Sequence, residues 1–157
     1  MNHRLAGLSA ALVALAALAA AYYAQYVLHL TPCELCLWER WPYRVVVVLG
    51  LLAMMGRPRT ARWLLGVAGF VMLANVAIAG LHAGVEFNWW NSPLPECNGA
   101  LVPGQALPLT PATPCDRPVY PITLVPISMA QMDFALSALF AASLLVYAGR
   151  RKTRRFR

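Results

Sequence analysis

Charge is scarce in this sequence. Asp, Glu, Lys and Arg make up 12% of 157 residues, and only six of those are acidic. Soluble domains carry roughly 25% charged residues, so an ordinary soluble globular domain is excluded. An internal repeat is missing too, as is any stretch that would form a separate soluble domain. Cysteine is sparse, with four residues, and none falls in the middle of an apolar run. What the chain has instead is apolar residues, 60% of the total, gathered into long runs. A run of roughly 20 such residues crosses the ~30 Å hydrocarbon core as a helix.

Four segments reach that length, at approximately residues 5–28, 33–55, 63–82 and 129–148. The second needs its polar start. Val45–Met55 alone is too short, whereas a helix beginning at Cys33 extends about 34 Å at 1.5 Å per residue. Its outer turns then carry Glu39, Arg40 and Arg44. The first segment also has features of a signal peptide, but its apolar run exceeds the usual 7–15-residue signal core, so a retained helix is expected. The pattern predicts an all-α fold, an integral membrane four-helix bundle forming one membrane domain over residues 1–157. Residues 83–128 form a long outer loop with nine of the twelve prolines. Proline at that density precludes a regular helix or a central strand.

Basic residues orient the bundle. Arg4, the group Arg57, Arg59 and Arg62, and the tail from Arg150 to Arg157 hold ten of the thirteen Lys and Arg residues, all on one side of four spans. The positive-inside rule makes that side, with both termini, cytoplasmic. Tyr22, Tyr23, Tyr26, Trp38, Trp41, Trp89 and Trp90 fall at the outer boundary, as an interfacial belt requires. The net charge of +7 therefore reflects topology, and no nucleic-acid partner is expected.

All four cysteines then lie outside, where disulfides persist. Cys33-Glu34-Leu35-Cys36 is a C-x-x-C pair opening a helix. Helix N-terminal N–H groups and the helix dipole favour thiolate, which both attacks and leaves in disulfide exchange. Arg40, four residues after Cys36, shares its helix face, and Arg44 continues the stripe. An ionisable residue at membrane depth is a functional candidate, although both arginines also suit snorkelling to the interface. Cys97 and Cys115 are separated by 17 residues of the Pro-rich loop, where an exposed and exchangeable disulfide is expected. A structural staple is the plainer alternative. A zinc site is disfavoured because the second pair lacks short spacing, so no metal is assigned. Four cysteines allow three pairings. His82, at the outer end of the third helix, and Asn75, seven residues earlier, are weaker candidates for binding a ligand between helices.

The run Pro32-Cys33-Glu34-Leu35-Cys36-Leu37-Trp38-Glu39-Arg40-Trp41-Pro42-Tyr43, followed by a second outward cysteine pair within four helices, resembles the DsbB family of quinone-coupled disulfide oxidases. The resemblance covers essentially the whole chain. It implies a bacterial inner membrane location with the cysteines on the periplasmic side. It further implies that a reduced periplasmic DsbA-like oxidase attacks a Cys97–Cys115 disulfide at Cys97. Cys115 then passes electrons to the Cys33–Cys36 pair through Cys33. Cys36 in turn reduces a ubiquinone or menaquinone held near Arg40 and His82. Vitamin K epoxide reductase-like proteins share these ingredients but place the loop pair before the C-x-x-C. An outward reductant conduit needs cysteines reachable from the cytoplasm. A membrane scaffold with two structural disulfides explains the topology but not the Cys36/Arg40 face.

Overall fold

The computed structural model describes residues 2–98, 114–121 and 126–150. Four α-helices account for most of them: α1 (His3–Tyr26), α2 (Glu34–Met55), α3 (Pro58–Glu86) and α4 (Met129–Gly149), with a 3-10 turn at Pro95–Asn98. No strand occurs among the described residues. The all-α expectation holds. By length and composition α1, α3 and α4 can each cross a membrane. α2 is not among them, because Glu34, Glu39, Arg40 and Arg44 break its apolar character. Residues 99–113 and 122–125 of the expected loop lie outside the described residues.

Local chemistry sets the helix ends. Pro58 opens α3 at its first turn, where a missing N–H costs nothing, so the proline that breaks α2 from α3 also starts the next helix. α3 is longer than its apolar core suggests, running through His82 to Glu86. It stops in a Schellman turn: the Trp89 N–H donates to the Gly84 carbonyl and the Asn88 N–H to that of Val85. Asn88 takes the left-handed conformation this turn needs, at φ 56°. Trp90 then folds back over Gly84, where any Cβ would run into its ring, and its indole N–H donates to the Leu81 carbonyl. Ser128 caps α4 by accepting from the Gln131 N–H at 3.3 Å, and its hydroxyl donates to Glu86 at the end of α3. Pro42 sits inside α2 and cannot donate to the Trp38 carbonyl.

The helices pack through small residues, as helices in lipid do. α1 and α2 approach closely at Gly7 and Gly50, where a Cβ on Gly7 would stand 2.6 Å from the Gly50 carbonyl oxygen. Ala6, Ala10 and Ala14 line one face of α1 and join Val46, Ala53, Leu65, Met72, Phe140 and Leu144 in the main core. Large apolar residues such as Phe70 and Leu139 point outward. α2 packs on both α1 and α3, and α3 packs on α4, but α1 and α4 scarcely meet. That open seam is where the cavity lies.

Candidate redox site

Cys33 stands just before α2 in extended conformation and caps it: its Sγ accepts from the Cys36 N–H at 3.4 Å. One helical turn brings the two Sγ atoms to 3.0 Å, sharing a hydrogen bond between free thiols. That bond from Cys36 holds the Cys33 thiol well below its usual pKa range, against the opposing effect of burial, and His82 adds to it. The position therefore stabilises a thiolate, as the helix N-terminus argues.

The outward extension of α3 brings His82 against this pair. Its Nε2 lies 3.5 Å from Cys33 Sγ, and its Nδ1 lies 2.9 Å from Glu39 Oε1. His82 and Glu39 are both buried. A carboxylate on Nδ1 fixes the ring and leaves Nε2 facing the sulfur, free to accept or return its proton. Cys33, His82 and Glu39 thus form a line of thiol, imidazole and carboxylate. Sequence reasoning ranked His82 low and passed over Glu39. The available signal was an acid three residues beyond Cys36, hence on the cysteine face of α2.

Arg40 is buried and lines the same cavity as Cys36, but its guanidinium turns toward α1. Nη1 donates to Gln25 Oε1 at 2.6 Å, and the group lies over the Tyr22 ring, 5.0 Å from its centroid. Its Nε is buried without a hydrogen-bond partner. Among the described residues no hydrogen bond joins Arg40 to either thiol. Arg44 donates to the Tyr22 hydroxyl at 2.7 Å and lies over Trp41, an arrangement that suits an interfacial arginine. Asn75 is fully buried and donates to Asp133 Oδ2 at 3.0 Å, while the Tyr43 hydroxyl donates to Oδ1 at 2.6 Å. This polar cluster ties α2, α3 and α4 together across the bundle.

The cavity between α1 and α4 has a volume of about 760 Å³. Cys33, Cys36, Glu39, Arg40, His82 and Asp133 form its polar wall, and the end of α1 with the residues just after it supplies a mostly apolar one from Ala17 to Leu28.

Cys97 and Cys115 form a disulfide. Contrary to the exposed loop bond expected from spacing, both are buried, at 3% and 1% exposure. They pack with Cys33, Leu35 and Val85, with Cys36 against the same cluster, and the Cys115 N–H donates to the Cys97 carbonyl. The reason for the difference is tertiary. The 3-10 turn after Trp90 lays Cys97 on the end of α2, which sequence spacing does not encode. All four cysteines therefore gather at one end of the bundle.

A helical protein with membrane-crossing helices, a free C-x-x-C pair and an adjoining disulfide belongs to the class of membrane thiol–disulfide oxidoreductases. The family model described as "Disulfide bond formation protein DsbB" matches residues 3–147, and the chain belongs to that family. It is also 26% identical over 145 residues to "Uncharacterized protein RP370" of Rickettsia prowazekii (strain Madrid E), covering 87% of this chain and 82% of that protein. No solved structure matches the chain. It is accordingly a membrane protein with disulfide oxidoreductase chemistry.

Proposed function

We propose that this protein reoxidises a DsbA-like dithiol oxidase in the bacterial periplasm and delivers the electrons to a membrane quinone. The observation that carries the reading is the gathering of two unequal cysteine pairs, one disulfide and one dithiol, beside the cavity between α1 and α4. In the proposed topology α2 completes a four-span bundle, both termini are cytoplasmic, and the cysteines face the periplasm.

The partner's thiolate would attack Cys97, breaking the Cys97–Cys115 bond and releasing Cys115. A second partner thiolate then displaces Cys97, leaving the partner oxidised and this pair reduced. Burial of both sulfurs means that the partner must first displace the covering chain. Cys115 would next attack Cys33 of an oxidised Cys33–Cys36 pair, releasing Cys36. Attack by Cys97 on Cys115 then restores the outer disulfide and frees Cys33. Two electrons and two protons thereby move inward. His82 takes and returns the Cys33 proton, with Glu39 holding its ring.

The residues lining the cavity suit a quinone. The volume falls within the ~300–1,000 Å³ range of small-molecule sites. One wall is apolar, the opening between α1 and α4 suits a lipid tail, and buried Arg40 Nε supplies an unused donor. Arg40 and His82 would hold the head group beside Cys36. A bound quinone supplies a two-electron, two-proton acceptor. An acceptor some 200 mV more positive than DsbA, itself near −120 mV, gives a driving force of roughly 9 kcal/mol.

Purified protein with ubiquinone or menaquinone should catalytically reoxidise reduced DsbA. Full turnover by a Cys33→Ser, Cys36→Ser double variant would overturn the assignment.

A further inference from the structure

The geometry points to a second ligand for the reduced inner pair: we infer that Cys33, Cys36 and His82 form a redox-gated site for a zinc-class divalent cation. The sequence argued only against a zinc site made of the four cysteines, and this donor set is different. Cys33 Sγ, Cys36 Sγ and a ring nitrogen of His82 all lie within 4.8 Å of one another. Two thiolates and an imidazole are donors that zinc prefers, and three protein ligands with an open fourth position make a recognised coordination pattern.

The distances are close to those required. Tetrahedral zinc with bonds of ~2.3 Å to sulfur and ~2.0–2.1 Å to nitrogen separates sulfur from nitrogen by about 3.5 Å and the two sulfurs by about 3.8 Å. Cys33 Sγ and His82 Nε2 are already 3.5 Å apart. The sulfurs, at 3.0 Å, need to open by about 0.8 Å, within reach of a small rotation of the Cys36 side chain.

A second observation independently favours a metal. His82 Nδ1 is held at 2.9 Å by the buried Glu39 carboxylate. Metal-binding histidines almost always carry such a partner on the second nitrogen, which orients the ring and raises its basicity. The fourth coordination position would face the cavity, where a water can complete the tetrahedron.

The site exists only when the pair is reduced. Binding replaces the thiol protons with the cation, releasing up to two protons and changing no oxidation state. A Cys33–Cys36 disulfide offers no thiolate, so oxidation abolishes the site. The metal would in turn lock the dithiol against electron transfer. Its physical effect would be greatest when the acceptor is scarce and the reduced form accumulates. Metal binding as such does not depend on the quinone reading; only its inhibitory effect does.

The test uses full-length protein in detergent micelles, fully reduced or fully oxidised, titrated anaerobically with Zn²⁺ against a chromogenic chelator. In the reduced protein Zn²⁺ should protect Cys33 and Cys36 from alkylation, read by peptide mass mapping. Co²⁺ should give a thiolate charge-transfer band at the same site, and the oxidised protein should give neither signal. Glu39→Gln should weaken zinc binding about 10- to 100-fold, and His82→Ala should weaken it further. Protection confined to Cys97 and Cys115, equal zinc affinity in the oxidised protein, or undiminished affinity in His82→Ala would overturn the inference. If metal binds as described while the same preparation, assayed free of added metal, shows no DsbA turnover, the quinone reading fails and the metal site stands.

Discussion

Replacing His82 with Gln tests how the inner pair is activated. Glutamine can still donate to Glu39, so the buried carboxylate keeps a partner, but the ionisable imidazole 3.5 Å from Cys33 Sγ is gone. A hydrogen bond to a charged group is worth about 1.5–3 kcal/mol, against about 0.5–1.5 kcal/mol for a neutral one. The difference, of order 1–1.5 kcal/mol, raises the Cys33 pKa by about one pH unit. Both groups are buried, so solvent screening does little to reduce it. The wild-type Cys33 thiolate survives to lower pH than an ordinary thiol, and its reactivity is lost as pH falls through that lowered pKa. In His82→Gln this loss moves up by about one unit, leaving about 10-fold less thiolate at low pH. Each remaining thiolate is about 3-fold more nucleophilic, since reactivity rises with thiol pKa at a slope of about 0.4–0.5. The net expectation is alkylation of Cys33 about 3-fold slower than wild type at low pH and about 3-fold faster at high pH. Iodoacetamide labelling of the reduced protein across pH, with Cys33 resolved by peptide mass mapping, reads both limbs. Superimposed profiles, or a variant slower at every pH, would refute the coupling between His82 and Cys33.

Arg40→Ala should raise the apparent KM for quinone several-fold while leaving that for DsbA nearly unchanged. Steady-state kinetics with each substrate varied would show it, and an unchanged quinone KM would leave Arg40 with its contacts to Gln25 and Tyr22 alone. Gly50→Leu should lower the apparent Tm in detergent, because the added side chain meets the α1 backbone at Gly7 and Ala11. Overpacking of this kind costs about 1–3 kcal/mol or more. Gly84→Ala should displace the Trp90 ring that lies against Gly84. A red-shifted tryptophan emission with little change in helix content would report that displacement.

The helices were legible because lipid demands long apolar runs, and α1 and α4 fall close to the runs read from sequence. The end of α3 was less so. Gly84, Val85, Asn88 and Trp89 form a Schellman turn, but the apolar run fades several residues before it. The C-x-x-C cap follows from local spacing and was visible at once. The His82–Glu39 contact was not, because it joins residues 43 apart on two helices. Arg40 shows the limit of helix periodicity most clearly. Its position put it on the Cys36 face, yet a partner on α1, Gln25, decides where the guanidinium points. Burial of Cys97 and Cys115 likewise depends on how the chain after Trp90 folds back onto α2.

The central claim is that electrons pass from the outer cysteine pair through Cys33 and Cys36 to a quinone. Its most direct test starts from protein reduced at all four cysteines, free of oxygen, to which quinone is added. Redox states are then read by acid quenching, alkylation and mass mapping. The account predicts that Cys33 and Cys36 oxidise first, that the Cys97–Cys115 disulfide follows, and that one quinol forms per disulfide. In the Cys33→Ser, Cys36→Ser variant Cys97 and Cys115 should stay reduced. Four persistent thiols in the wild type, or an outer disulfide forming at the wild-type rate in that variant, would contradict it.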